Sequence, residues 1–307
     1  MLQYLIIILD DTSVSYCHYE NQRQKRHLIP IDKLKQGIFF AMTENLMIQF
    51  VYPDYKLPDE YLETIDTIDH FNIMPSKEEA DIYVSSLNSD LESDVPVVLR
   101  MRKSDLFANA DMICSILKKV PRLNIVLTDI ETFTDKDFEQ YAEVLDKLSI
   151  ILEQLLISGE MTMLNLLTDR IVLYQMNNCG AGDTSITLAP DGKFYLCPAF
   201  YYDKQEAIGY VESGVKIENA QLLHLDHAPI CSHCDAFQCK RCIWLNKKTT
   251  LEVNTPSHEQ CVAAHLERNA SKRLLEHLRS HGNFFAKTAD INEIDYLDPF
   301  ENKDKWQ

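Results

Sequence analysis

Cys231-Ser-His-Cys234-Asp-Ala-Phe-Gln-Cys239-Lys-Arg-Cys242 places four thiols within twelve residues. Working outward, Cys197 and Cys179 precede this knot and Cys261 follows it, so the set holds seven of the nine cysteines. Twelve residues separate Cys179 from Gly192, and four more separate Gly192 from Cys197. Clustered thiols in a reducing compartment read as metal ligands rather than disulfides, and an odd total does not suit a complete disulfide framework. Two CxxC pairs joined by four residues are tight for zinc, whose two knuckles usually approach from separate turns. An iron–sulfur cluster takes four thiolates around a larger cubane and suits a compact run. Zinc remains the alternative.

The remainder of the chain bounds the setting. It has 307 residues, of which 46% are hydrophobic, enough for a sizeable core and two domains. A net charge of −17 argues against nucleic acid and anionic membrane surfaces. The apolar run Tyr4 to Leu9 is too short for a signal peptide or a membrane span, which places the protein in the cytoplasm.

Upstream of the knot, strand-like and helical runs alternate, as expected of a parallel α/β arrangement. Strands are expected at Tyr4 to Leu9, Ile48 to Tyr52, Phe71 to Met74, Ile82 to Ser85, Val97 to Met101, Leu123 to Leu127 and Ile171 to Tyr174. Helices are expected from Asp32 to Leu46, with Asp32 as cap and Leu34, Ile38, Ala41 and Met42 on one face; from Ser104 to Val120; and after Thr134. Ser185 to Leu188 and Lys193 to Leu196 flank Pro190-Asp191-Gly192, a hairpin signal that would carry Cys197 back toward Cys179. Ser257 and Gln260 form a capping box for a helix ending at Gly282, with Cys261 in its first turn. The acidic tail reads as extended or partly disordered, with Phe300 and Trp306 as candidate docking residues. These readings divide the chain into residues 1–176, 177–281 and 282–307.

The cysteine order, C-x12-G-x4-C, then C-x2-C-x4-C-x2-C, then a lone C, resembles a SPASM domain, the auxiliary-cluster domain of radical AdoMet enzymes that modify peptides. The usual knot is C-x2-C-x5-C-x3-C, so this one is a residue shorter in two loops. The resemblance implies a partial (β/α)6-like barrel followed by a cysteine-rich SPASM-type α+β domain carrying one or two 4Fe-4S clusters. It also implies the ligand sets: Cys179, Cys197 and Cys242 for one cluster, and Cys231, Cys234, Cys239 and Cys261 for the other. The first set has only three thiolates.

A radical AdoMet enzyme further needs CxxxCxxC after its first barrel strand. Here Asp10 and Val14 stand where two of those cysteines belong, with Cys17 at the third place. The barrel is therefore expected without its catalytic cluster and without AdoMet. Leu9-Asp-Asp-Thr-Ser-Val-Ser-Tyr-Cys17-His-Tyr and Ile48-Gln-Phe-Val-Tyr-Pro-Asp-Tyr55 resemble the CXXX repeat peptide maturases, encoded beside Cys-x-x-x repeat peptides and full radical AdoMet enzymes. That resemblance implies an iron–sulfur subunit that binds a Cys-rich precursor peptide or passes electrons for a partner radical AdoMet maturase. The alternatives are a stand-alone peptide-modifying enzyme using Cys17, Asp10 and Asp11, and a zinc-stabilised peptide-binding scaffold. Simpler readings stand beside these: Asp10 and Asp11 as loop caps, Cys114 as plain core, His18 and His233 as non-ligands, and Lys240 and Arg241 as charge compensation for reduced clusters.

Overall fold

A computed structural model describes residues 2–173, 177–234 and 239–291; of Asn177, Asn178 and His233 only the backbone is described. Along the chain run β1 (Tyr4–Ile8), α1 (Ile31–Thr43), β2 (Met47–Val51), α2 (Asp59–Ile65), β3 (His70–Met74), β4 (Ile82–Ser85) and β5 (Val97–Met101). Next come α3 (Lys103–Ala108), α4 (Ala110–Leu117), β6 (Arg122–Leu127), α5 (Asp135–Ile157), β7 (Met163–Leu164), α6 (Thr168–Val172) and β8 (Asn177–Asn178). The last part holds β9 (Ser185–Leu188), β10 (Lys193–Tyr195), α7 (Pro198–Tyr202), β11 (Gly209–Tyr210), β12 (Gly214–Val215), β13 (Lys240–Arg241), α8 (Ile243–Thr250) and α9 (His258–His281). Two compact units result. The first is Met1–Leu87 with Ser93–Arg100 and Gly180–Leu223; the second is Asn88–Glu92 with Met101–Cys179 and His224–Gln307.

In the first unit the strand order is β12-β11-β10-β9-β1-β2-β3-β4-β5. The run from β9 through β1 to β5 is parallel, and β9 to β12 is an antiparallel meander. Strand β1 is central. Leu5, Ile7 and Ile8 are fully buried, as a strand covered on both faces requires. Helix α1 lays Leu34, Ile38 and Ala41 on this core, and a Cβ at Gly37 would meet the end of the Leu188 side chain at 2.3 Å, so a larger residue there would force that side chain to shift. The expected hairpin is present, with Gly192 at φ +74 turning β9 into β10. Two details of α1 differ from expectation. Pro30 holds the N-cap and Asp32 sits in the first turn, where its charge suits the helix dipole. Met42 lies at the edge of the apolar stripe and is exposed.

The second unit pairs β6 with β7 in parallel and is built around α5 and α9. Thr134 and Asp137 form a capping box at α5, as Ser257 and Gln260 do at α9. The helix expected from Ser104 to Val120 is two helices, α3 and α4, broken at Asn109 where φ is −120 and ψ is 23. The strand expected from Ile171 is instead the end of α6. Apolar residues in so short a run serve either element, and here Thr168 starts a helix by bonding Leu164 through its hydroxyl at 2.9 Å. Tyr174, Phe300 and Trp306 lie outside the described residues. Cys114 is buried on α4. Among the described residues, no helix is long and apolar enough to cross a membrane.

Candidate iron–sulfur centre

In the first unit the loop after β1 holds Asp10, Asp11 and Cys17. Asp10 is fully buried, and its Oδ1 accepts from the Thr12 N–H at 2.8 Å and the Thr12 hydroxyl at 2.6 Å. Burial, reinforced by the Asp10 carboxylate beside it, pushes the Tyr55 hydroxyl up to about 12. Asp11 Oδ1 accepts from Arg23 Nη1 at 2.7 Å and from the Tyr201 hydroxyl. The Arg23 guanidinium stacks on Tyr201, 4.1 Å from the ring centre. Arg100 donates to the carbonyls of Cys17 and Tyr19, pinning the loop and leaving the Cys17 residue exposed. Asp10 thus caps the loop through Oδ1 while its Oδ2 is buried without a hydrogen-bond partner among the described residues, and Asp11 accepts an ion pair from Arg23.

The second unit gathers the knot. Cys231 opens a short 3-10 turn, and the Cys234 N–H donates to the Cys231 carbonyl at 3.2 Å. Cys231, Cys234 and Cys239 pack together with Ala228 and Leu225. Burial pushes the Cys231 thiol above its ordinary range, with Arg241 pulling the other way. Burial pushes the Cys239 thiol up to about 12, opposed by Arg170 and reinforced by Cys231 and Cys234. Such thiols hold their protons at neutral pH until a metal displaces them.

Helix α9 closes one side. Cys261 lies in its first turn, and His265, one turn on, places Nε2 3.9 Å from the Cys234 sulfur. Beneath Cys239 is a buried network: Arg170 Nε donates to Glu267 Oε2 at 2.9 Å, and the Tyr141 hydroxyl donates to Glu267 Oε1 at 2.8 Å. Strand β13 pairs with β8 so that Asn178 faces Arg241. The next pair in register is Cys179 and Cys242, and the Cys179 N–H donates to the Arg241 carbonyl at 3.0 Å. Cys197, the N-cap of α7, belongs to the first unit.

Two basic residues follow Cys239, and they differ. Lys240 Nζ binds Asp169 at 2.8 Å, and Asp169 also takes Arg122 through both oxygens at 2.8 Å. Arg241 is 2% exposed, and its Nε, Nη1 and Nη2 have no hydrogen-bond partner among the described residues. A guanidinium cannot shed its proton, and leaving it buried and unpaired costs several kcal/mol. An anionic group beside the knot resolves this, and a thiolate-bound metal centre is anionic. No group of three or more His, Cys, Asp or Glu side chains among the described residues is gathered as for a metal ion. One zinc draws its donors to about 2.3 Å from a single centre, whereas cluster thiolates bind separate irons. The donor set, three thiols packed side by side, is of the kind an iron–sulfur cluster uses. Sequence reasoning missed Arg170, Glu267 and His265. Only His265 carried a signal, standing four residues after Cys261 on the same helix face.

No protein-family model matches the chain, and none of the curated proteins does. Solved structures do resemble it. The anSMEcpe structure with bound AdoMet superposes with TM-score 0.66 at 11% identity, covering 91% of this chain and 96% of that one. The native anSMEcpe structure with AdoMet and the Cp18Cys peptide gives 0.64 at 11% identity, over 90% and 99%. SuiB of Streptococcus suis bound to S-adenosylmethionine gives 0.51 at 11% identity, over 85% and 77%. The chain therefore shares the α/β fold of these structures.

Proposed function

We propose that this chain is an iron–sulfur protein of peptide maturation, acting as a peptide-binding or electron-transfer subunit for a partner radical AdoMet enzyme. The observation that carries the reading is the packing of Cys231, which is buried, with the half-buried Cys234 and Cys239, in a unit that also holds a buried arginine without a hydrogen-bond partner among the described residues. Cys231, Cys234, Cys239 and Cys261 would hold one 4Fe-4S cluster, and Cys179, Cys197 and Cys242 are the ligands assigned to a second. Such a cluster supplies one-electron transfer when bound. The chain's own contribution is to pack Cys231, Cys234 and Cys239 together and to set the local charge through Arg241 and the Arg170–Glu267 pair.

The Cp18Cys peptide bound by anSMEcpe supports a Cys-containing peptide as the ligand class. AdoMet is left out of the reading because Asp10 and Val14 stand where cluster thiolates are needed. The stand-alone enzyme is less favoured, because Asp11 is engaged by Arg23 and Tyr201 and Asp10 is fully buried with its Oδ1 held by Thr12. Co-expression with the neighbouring genes followed by anaerobic pull-down tests the role. Capture of a Cys-x-x-x repeat peptide or of a radical AdoMet enzyme is expected. Capture of neither contradicts the accessory role.

A further inference from the structure

Among the described residues the two carboxylates near the knot, Asp169 and Glu267, are both already engaged. Asp169 is occupied by Arg122 and Lys240, and Glu267 by Arg170 and Tyr141. Arg241 nevertheless lies buried on β13, between two cysteines of the knot, with three guanidinium nitrogens lacking hydrogen-bond partners among the described residues. A planar fork of five N–H donors is shaped for oxygen or sulfur acceptors grouped on one side. A cluster held by four thiolates presents anionic sulfurs, is net negative when oxidised, and becomes one charge more negative when reduced.

We propose that Arg241 is the buried counter-ion of the cluster held by Cys231, Cys234, Cys239 and Cys261, and that it sets that cluster's reduction potential. This rests on the iron–sulfur reading above and names the residue that regulates the site. The step concerned is a one-electron reduction by an external low-potential donor, such as dithionite or a reduced flavodoxin-type protein. No bond forms or breaks. The added negative charge is met by a cation already in place, so the reduced state gains more than the oxidised state and the potential rises. Lys240 does not share this role, being held by Asp169.

The same argument fixes the sign of a stability effect. In metal-free protein Arg241 is a buried cation without an anion, so removing it stabilises the fold. In cluster-loaded protein it is paired, so removing it destabilises. The test uses full-length wild type, Arg241→Gln, Arg241→Lys and Arg241→Met, purified anaerobically. Iron and sulfide are measured, and the cluster is titrated with dithionite under EPR. Arg241→Gln should keep its iron and titrate at a more negative potential, with the reduced fraction at a fixed mild poise falling several-fold. Arg241→Lys should fall between the two. After chelation, Arg241→Met should melt at or above the metal-free wild type. Full iron with an unchanged potential in Arg241→Gln overturns the inference while leaving the iron–sulfur reading intact. Wild type without iron and sulfide overturns both. If Arg241→Gln loses its cluster, retention in Arg241→Lys supports the proposal. Loss in both, with metal-free Arg241→Met less stable than metal-free wild type, makes Arg241 a structural residue and overturns it.

Discussion

The loop after β1 and the cysteine knot each bury charge, and they treat it in opposite ways. In the loop, Asp10 and Asp11 are met by Thr12, Arg23 and Tyr201, and Arg100 secures the backbone of Cys17 and Tyr19. In the knot, Arg241 has no hydrogen-bond partner among the described residues and three thiols lie side by side. In the loop the arginines Arg23 and Arg100 both have acceptors, although Asp10 Oδ2 is buried without a hydrogen-bond partner among the described residues. A region with an unmatched buried cation is complete only with a ligand. On this difference rests our proposal that the cofactor chemistry lies in the second unit rather than at the strand end where Cys17 lies.

The largest effect should come from the knot itself. Cys239→Ala should remove about four irons per chain, the content of one cubane, and abolish one low-temperature EPR signal. Cys197→Ala should spare that signal and remove a different one. Loss of the same signal in both variants breaks the assignment of ligands. The buried pair beneath Cys239 comes next. Glu267→Ala strands Arg170 and leaves the Tyr141 hydroxyl without its acceptor, so it should cost about 3–5 kcal/mol in denaturant unfolding of the cluster-loaded protein. A cost below about 1 kcal/mol would show that the network does not support the knot.

Asp11→Ala should cost about 1–3 kcal/mol by unpairing Arg23 and Tyr201, and should leave iron content and EPR unchanged. A loss of iron there would erase the contrast between the two regions. The smallest effect concerns Asp137, which caps α5 and is held at about 2 by hydrogen bonds from Lys103 and Thr134. Its carboxyl is depressed, so its stabilisation is full above the ordinary carboxylate range near 4 and is lost as pH falls toward 2. Asp137→Asn should therefore lower Tm at pH 6 and have little effect near pH 2. An equal loss at both values would mean that the charge is not what matters.

Much of this arrangement was legible in the residues. The unbroken apolar run at Tyr4 marked the central strand, Pro190-Asp191-Gly192 marked the hairpin, and Ser257 with Gln260 marked the start of α9. Short apolar runs were the weak point: Ile171 reads equally as strand or helix until Thr168 and Leu164 are seen to bond. Around the knot, cysteine spacing named the thiols, yet nothing local told Lys240 from Arg241. Their difference depends on Asp169, some seventy residues earlier, which binds one and not the other. Arg170 and Glu267 were hidden for the same reason, since each pairs with a residue distant in sequence.

The central claim is tested most directly by metal analysis of the full chain purified without oxygen. The account predicts brown protein with iron and inorganic sulfide in equal amounts, about four of each per cluster. Stoichiometric zinc with negligible sulfide would contradict it.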